Sequence, residues 1–173
     1  MKKTVALLLA LLLTFCAFAE EADYEDHAVA EVNYIDNILI STGVTEDALY
    51  TGYSDQGDSS FLFTSDDGTS QLLVTGQDGQ TTGAVVIGYS SDDLFTMFAV
   101  MTGLILYEGC PTEDATAFAA WMDEQMEDAA AALSAPHDDP FTVSYSGTGN
   151  EYVDLVCMYG ESGPICQMLF NLY

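Results

Sequence analysis

The absence of lysine and arginine after Lys3 is the feature that most limits how this chain can fold. The sequence contains 28 aspartates and glutamates, all of them after residue 19, whereas its two basic residues are Lys2 and Lys3. Beyond that point His27 and His137 are the side chains that can carry positive charge. Because the acidic side chains have no lysine or arginine partner, their charge must be offset by helix N-termini, solvent ions or a bound metal.

This charge balance excludes several classes of ligand. Nucleic acids and anionic lipid head groups are bound through lysine and arginine, so we expect neither nucleic acid nor an anionic membrane surface as a partner. The same lack argues against enzymes that clamp phosphate or carboxylate substrates with arginine. A basic protein, a cationic peptide or a divalent cation remains as a partner.

Residues 1–19 have the pattern of a cleavable export signal, with a positively charged start, an apolar run over residues 5–13 and alanines at positions 17 and 19. We expect cleavage before Glu20 and an extracellular product, as in exported bacterial proteins. The apolar run is too short for a bilayer span, which takes about 20 residues. We do not expect lipid anchoring at Cys16, because the bulky Phe15 precedes it where a small residue is required.

The 154 residues that remain after removal of 19 from 173 correspond to one ordinary domain. Residues 20–46 form an acidic N-terminal segment, in which 20–26 are expected to be a mobile leader. A helix is predicted over residues 27–40, because Ala28, Val32, Ile35 and Leu39 recur at helical spacing, and Gly43 would end it. Residues 47–173 are expected to form a single α+β domain.

Seven short runs of aromatic and β-branched residues predict strands, four before residue 90 and three after residue 140. Between them lie an apolar core helix beginning near Leu94 and an amphipathic helix that Pro136 ends. Asp-Gly pairs between the early runs favour tight hairpin turns. The order predicts an α+β fold: an antiparallel β-sheet of about four strands, then two helices, then three strands, with the helices packed on one face.

Two of the cysteines are expected to face each other across the last hairpin. If the turn is centred on Glu161 and Ser162, paired residues sum to 323, and Cys157 pairs with Cys166. An exported protein can keep such a disulfide oxidised. Two buried thiols, or a bridge from Cys110 to one of them, are the alternatives. Three dispersed cysteines without CxxC spacing do not favour a zinc site.

Calcium is the sharpest candidate for a ligand, because several aspartates fall on predicted turns and calcium takes hard oxygen ligands. None of these turns has EF-hand spacing, and hairpin geometry alone accounts for the Asp-Gly pair at Asp67. The weak candidates for such a site are Asp55, Asp58, Asp66, Asp67, Asp138 and Asp139.

The sequence favours a non-catalytic binding or interaction module over an enzyme. A nucleophilic serine or cysteine needs a base, and neither His27 nor His137 stands in a recognisable catalytic context. A hydrolase that uses two carboxylates is a weaker alternative, since 28 acidic residues single out no pair. We therefore expect a small, acidic secreted module with no cofactor other than calcium, and a calcium-dependent module is the alternative. The sequence leaves its oligomeric state open.

Overall fold

The computed structural model describes residues 24–149 and 151–172. The predicted export signal and Cys16 lie outside these residues. The described chain is folded into α1 (Tyr24–Ser41), β1 (Tyr50–Gly57), β2 (Ser60–Ser65), β3 (Ser70–Gln77), β4 (Gln80–Gly88), α2 (Asp93–Tyr107), α3 (Thr112–Ala132), β5 (Phe141–Ser146), β6 (Glu151–Gly160) and β7 (Gly163–Leu172). This order confirms the predicted α+β fold of four strands, two helices and three strands.

All seven strands belong to one antiparallel sheet with the order β1-β2-β3-β4-β7-β6-β5. The two helices after β4 carry the chain to the far edge, and β6 and β7 then return until β7 pairs with β4. The helices cover one face: α1 packs on β3 and β4, α2 on β4 and β7, and α3 on β5 and β6. The core lies between this face and the helices.

The early hairpins are closed by turns whose residues accept a positive φ. Asp78 and Gly79 have φ values of 54° and 76°, as an Asp-Gly turn requires. Between β1 and β2 the turn falls on Asp58 and Ser59, with φ values of 51° and 54°. The predicted loop over residues 55–58 is therefore mostly strand, and Asp55 pairs with Phe61 inside β1 and β2.

Helix α1 confirms the predicted helix and its buried face, since Ala28, Val32, Ile35 and Leu39 are all buried. The prediction of a mobile leader through residue 26 is wrong for its last three residues, because α1 begins at Tyr24. Tyr24 is only 5% exposed. Its ring fills the space above Gly76 on β3, where a Cβ would lie 1.9 Å from the ring. This burial extends the helix toward its N-terminus, and α1 shares one core with the rest of the chain.

Helix α2 is the predicted core helix, and ten of its residues are buried. It is followed by Gly109, whose φ of 73° ends the helical conformation. Within the described part of the chain, no helix combines the length and the apolar character needed to cross a membrane.

The last hairpin has the predicted register. Gly160 pairs with Gly163 around a two-residue turn, and Cys157 pairs with Cys166. Both cysteines are buried, and their sulfur atoms lie 2.9 Å apart without a disulfide bond. The facing arrangement is confirmed, and oxidation of this pair to a disulfide stays a prediction.

Candidate metal centre

His27 and Glu31 lie one turn apart on α1, so both side chains occupy the same side of the helix. Glu31 is fully buried, and its Oε2 accepts a hydrogen bond of 2.8 Å from Thr81 Oγ1 on β4. Because this donation uses the Thr81 proton, the Tyr24 hydroxyl donates to Thr81 Oγ1 over 3.2 Å. The other carboxylate oxygen, Glu31 Oε1, is buried, and within the described residues it accepts no hydrogen bond from an N–H or hydroxyl group. A hydrogen bond between the Glu31 and Glu108 carboxyl groups forms when one of them holds a proton.

Glu108 reaches the same place from the end of α2. Its Oε1 accepts a hydrogen bond of 2.9 Å from His27 Nε2, and the His27 and Glu108 side chains are 11% and 6% exposed. Helices α1 and α2 pack closely, because a Cβ at Gly103 on α2 would lie only 3.0 Å from Ile35 Cγ1 on α1. This close packing lets Glu108 reach His27. The Tyr107 ring packs edge-on against the His27 ring at a centroid distance of 5.3 Å and closes the site from the side of α2.

The charge of this cluster is the unusual property of the site. Burial, and then the neighbouring Glu108 carboxylate, raise the pKa of Glu31 well above its ordinary value. With a neutral His27 and both glutamates ionised, the three side chains would hold two negative charges almost out of contact with water. No lysine or arginine after residue 3 can offset them, so neutralisation takes a proton, an imidazolium or a cation.

The three side chains fit a first-row divalent metal ion. One nitrogen or oxygen atom from each of His27, Glu31 and Glu108 can be chosen so that all lie within 4.8 Å of one another. Ligand atoms bound at about 2.0–2.1 Å in a tetrahedral zinc site lie about 3.3 Å apart, so closure by at most about 1.5 Å would let all three bind the ion and would leave a fourth position for water. One imidazole and two carboxylates suit Zn²⁺, Mn²⁺ or Fe²⁺, whereas Ca²⁺ takes six to eight oxygens. Thr81 orients Glu31, as outer partners of metal ligands do.

The aspartates predicted as calcium candidates are exposed and do not belong to this cluster. In residues 24–149 and 151–172, the His27 cluster is the one group of three His, Cys, Asp or Glu side chains close enough to share a metal ion. Asp55 Oδ1 accepts the Gly57 N–H, and Asp66 accepts a hydrogen bond from the Thr51 hydroxyl. Asp67 Oδ1 accepts three hydrogen bonds, and these lower its pKa. Turn capping therefore accounts for Asp67. Asp58 lies in the β1–β2 turn, and Asp138 and Asp139 lie between α3 and β5.

A second pair of buried acidic residues combines Asp114, in the first turn of α3, with Glu151, the first residue of β6. Asp114 accepts hydrogen bonds from the Thr148 N–H, the Thr148 hydroxyl and the Gly149 N–H, at 3.0, 2.7 and 3.2 Å, and these lower its pKa. Glu151 is 1% exposed, and burial followed by the Asp114 charge raises its pKa. Burial, with Glu151 as the next cause, raises the pKa of the nearby Cys110 thiol to about 12. Cys110 therefore stays a thiol at neutral pH and offers no thiolate nucleophile or metal ligand.

Sequence reasoning missed the glutamates of the cluster. A signal for Glu31 was present, because residue 31 falls on the apolar face of the predicted helix, between Ala28 and Ile35. A glutamate on such a face, one turn from a histidine, indicates a buried polar site. Nothing local indicated Glu108, whose position depends on the packing of α1 against α2.

Comparisons of the chain with protein-family models, with curated proteins and with solved structures found no match. The functional argument therefore depends on the chemistry of the site.

Proposed function

We propose that this chain is an exported, non-catalytic binding module whose ligand is a divalent first-row metal ion held by His27, Glu31 and Glu108. The observation that carries the proposal is the buried grouping of one imidazole nitrogen with two carboxylates, in which no donor group of another residue reaches Glu31 Oε1. A proton shared between Glu31 and Glu108 offsets one of the two charges, whereas a bound divalent cation would offset both carboxylates at once.

The composition expected after removal of the export signal also supports the proposal. Removal of residues 1–19 leaves 28 acidic residues and no lysine or arginine. A chain of that composition attracts cations, and the buried cluster supplies a nitrogen ligand that a diffuse acidic surface lacks. The near-complete burial of all three side chains leaves little surface for a substrate, which favours binding over catalysis.

Zinc titration of the purified protein by calorimetry tests the proposal. We expect one Zn²⁺ per chain and tighter binding as the pH rises, because the ion displaces the proton that Glu31 holds. Repeating the titration in buffers of different ionisation enthalpy measures the protons released. Mn²⁺ is expected to bind the same site more weakly, following the usual order of affinities.

The two histidines provide an internal control in NMR spectra. Zn²⁺ is expected to shift or broaden the ring signals of His27 and to leave those of His137 unchanged. The His137 Nε2 lies 2.7 Å from the Ala132 carbonyl oxygen at the end of α3, away from the cluster. Equal responses of both rings, or no response of His27 at stoichiometric zinc, would contradict the proposal.

Variants assign the ligands. His27→Gln, Glu31→Gln and Glu108→Gln should each weaken zinc binding by at least about tenfold, as expected for loss of a protein ligand. Glu124→Gln is the matched control, because it removes one carboxylate from an exposed position on α3. If the control weakens binding as much as the cluster variants do, the affinity comes from diffuse charge.

A calcium titration at matched ionic strength tests the alternative based on the aspartate turns. If Ca²⁺ binds stoichiometrically and Zn²⁺ does not, the turns replace the His27 cluster as the candidate site. Asp66→Asn and Asp67→Asn would then be the variants that abolish binding. Equal, weak responses to Ca²⁺ and Na⁺ would indicate screening of the net charge.

A basic partner is a second candidate function, favoured by the exposed acidic stretch of α3. Asp123, Glu124, Glu127 and Asp128 are all exposed there. A lysine-rich peptide should bind with an affinity that falls steeply as salt is added. Replacing the four residues with Asn and Gln should abolish the interaction, whereas the same number of changes at the exposed Asp55, Asp58, Asp66 and Asp78 should not.

A further inference from the structure

The face of the sheet that points away from the helices, called the open face below, carries very little charge. Alternation along the strands and the pairing register place Leu62, Leu73, Val85 and Leu169 on it in one continuous row. The neighbouring row contains Gln71, Ile87, Gln167 and Val156 in adjacent pairs. Among the described strand residues on this face, Asp154 is the one carboxylate.

The position of Asp154 leaves the middle of the open face neutral. Asp154 lies on β6, at the end of the row between Leu169 on β7 and Ser144 on the edge strand β5, and its Oδ1 accepts a hydrogen bond of 2.5 Å from the Ser144 hydroxyl. The central strand β4 contributes Val85 and Ile87, both partly buried by their neighbours. A chain with 28 acidic residues has thus placed almost none of them here, which indicates that charge on this face is disfavoured.

The open face is large enough for a stable interface. Seven strands spaced by about 4.8 Å, with about six residues at 3.3 Å in each, cover about 600 Å². Two such faces together exceed the roughly 1,000 Å² of total buried area that separates specific interfaces from most lattice contacts. A depression of about 300 Å³ lies on the face beside Gly83, between Leu73, Val85 and Leu169, and it can receive side chains from an opposing surface.

We propose that two copies of this chain pack against each other through their open faces, as two sheets in a sandwich. An almost uncharged face with an apolar row across its middle does not fit a cationic partner, which would bind where carboxylates are exposed. It does fit a second copy, because two molecules that each carry 28 acidic residues meet the fewest opposed carboxylates when these faces meet. Sheets that pack face to face lie about 10 Å apart, so the carboxylates of the helix layers stay on the outer sides of the pair.

Salt dependence tests the proposal in analytical ultracentrifugation. The apolar contact attracts, while the net charge repels over a distance that falls from about 10 Å at 0.1 M salt to about 3 Å at 1 M. We expect a monomer–dimer equilibrium whose dissociation constant falls by at least about tenfold between these two NaCl concentrations. A protein that stays monomeric at all salt and protein concentrations would overturn the proposal. This outcome is also the one expected if the open face binds a basic partner instead of a second copy.

Val85 lies at the centre of the proposed contact and allows a charge-pairing test. Val85→Glu and Val85→Lys should each be monomeric, and mixing the two variants should restore the dimer. Val85→Thr, which keeps a branched strand residue, should weaken the dimer without loss of folding by circular dichroism. Ala120→Glu on the exposed side of α3 is the control and should dimerise like the parent. Dimerisation of Val85→Glu on its own would overturn this assignment. Failure of the mixed variants to dimerise would also overturn it.

Discussion

Replacing Glu31 with glutamine is expected to stabilise the metal-free protein at neutral pH, although Glu31 is fully buried. Burial and the Glu108 carboxylate raise the pKa of Glu31 in the folded protein, whereas the pKa in the unfolded chain stays near its ordinary value of about 4.3. Above pH 4.3 the folded protein therefore holds a proton that the unfolded chain has released. The free energy of unfolding must then fall as the pH rises, until the pH passes the folded pKa.

The size of the effect follows from this linkage. One proton bound by the folded protein alone lowers the free energy of unfolding by up to about 1.4 kcal/mol per pH unit. Between pH 5 and pH 7 the loss through Glu31 is therefore at most about 2.7 kcal/mol. In a domain of this size, 1 kcal/mol changes Tm by about 2–4 °C. The Tm of Glu31→Gln should therefore exceed that of the parent at pH 7, by at most about 10 °C, and the difference should vanish near pH 4.

The assay is thermal unfolding in EDTA between pH 4 and pH 8. Glu124→Gln serves as the control, because it removes one negative charge from an exposed position and reports the general relief of repulsion. Parallel Tm curves for the parent and Glu31→Gln would refute the reasoning, as would a difference no larger than that given by Glu124→Gln. The pKa of Glu31 depends on the neighbouring Glu108 carboxylate, so the midpoint of the curve is a property of the cluster.

Zinc should remove this difference in stability. At a free zinc concentration 100 times its dissociation constant, the parent gains about 2.7 kcal/mol, which is as much as the largest advantage expected for Glu31→Gln at pH 7, while Glu31→Gln has lost a ligand and gains less. Loss of the difference in zinc separates a metal site from a proton-sharing cluster, because a purely structural cluster would leave Glu31→Gln equally more stable in zinc and in EDTA.

Three further predictions follow from buried contacts. Gly76→Ala places a Cβ 1.9 Å from the Tyr24 ring and should destabilise the protein by about 1–3 kcal/mol in urea unfolding, whereas Gly52→Ala, with nothing within 4 Å, should not. Glu151→Gln should raise Tm at pH 7 and not at pH 4, since burial and Asp114 raise the pKa of Glu151; an equal gain at both pH values would contradict this. If Cys157 and Cys166 form a disulfide, reduction should cost about 3 kcal/mol for the short loop they close, and the denatured, unreduced protein should take up two fewer alkyl groups than the denatured, reduced protein.

Sequence patterns predicted those parts of the fold that depend on near neighbours in the chain. Alternation and Asp-Gly turns gave the strands, and the sum of 323 gave the register that pairs Cys157 with Cys166. The pairing of β4 with β7 could not be read in this way. This pairing depends on two helices that carry the chain across the sheet, and no local sequence pattern indicates which strand lies beside β4.

The site was predictable only in part for the same reason. His27 and Glu31 lie on a helix that the sequence predicted, and the position of Glu31 on its apolar face was visible. Glu108 comes from a different helix, and its contact with His27 needs the close approach of α1 and α2 at Gly103. The aspartate turns drew attention because acidic residues cluster there along the sequence. The energetically demanding carboxylates, however, are the buried ones, which are scattered along the chain.

The buried acidic residues show why the His27 cluster stands apart. Asp36 accepts the Leu49 N–H at 2.9 Å, and Asp114 accepts N–H groups from Thr148 and Gly149, so backbone donors offset both charges. Glu151 lies against Asp114 and has two buried oxygens without a hydrogen-bond donor, and burial raises its pKa as it does that of Glu31. The difference is the imidazole, because Glu31 shares its surroundings with His27 as well as with a second carboxylate. In a chain without lysine or arginine after residue 3, a divalent cation is the ligand that would offset both carboxylates of this cluster and bind its imidazole as well.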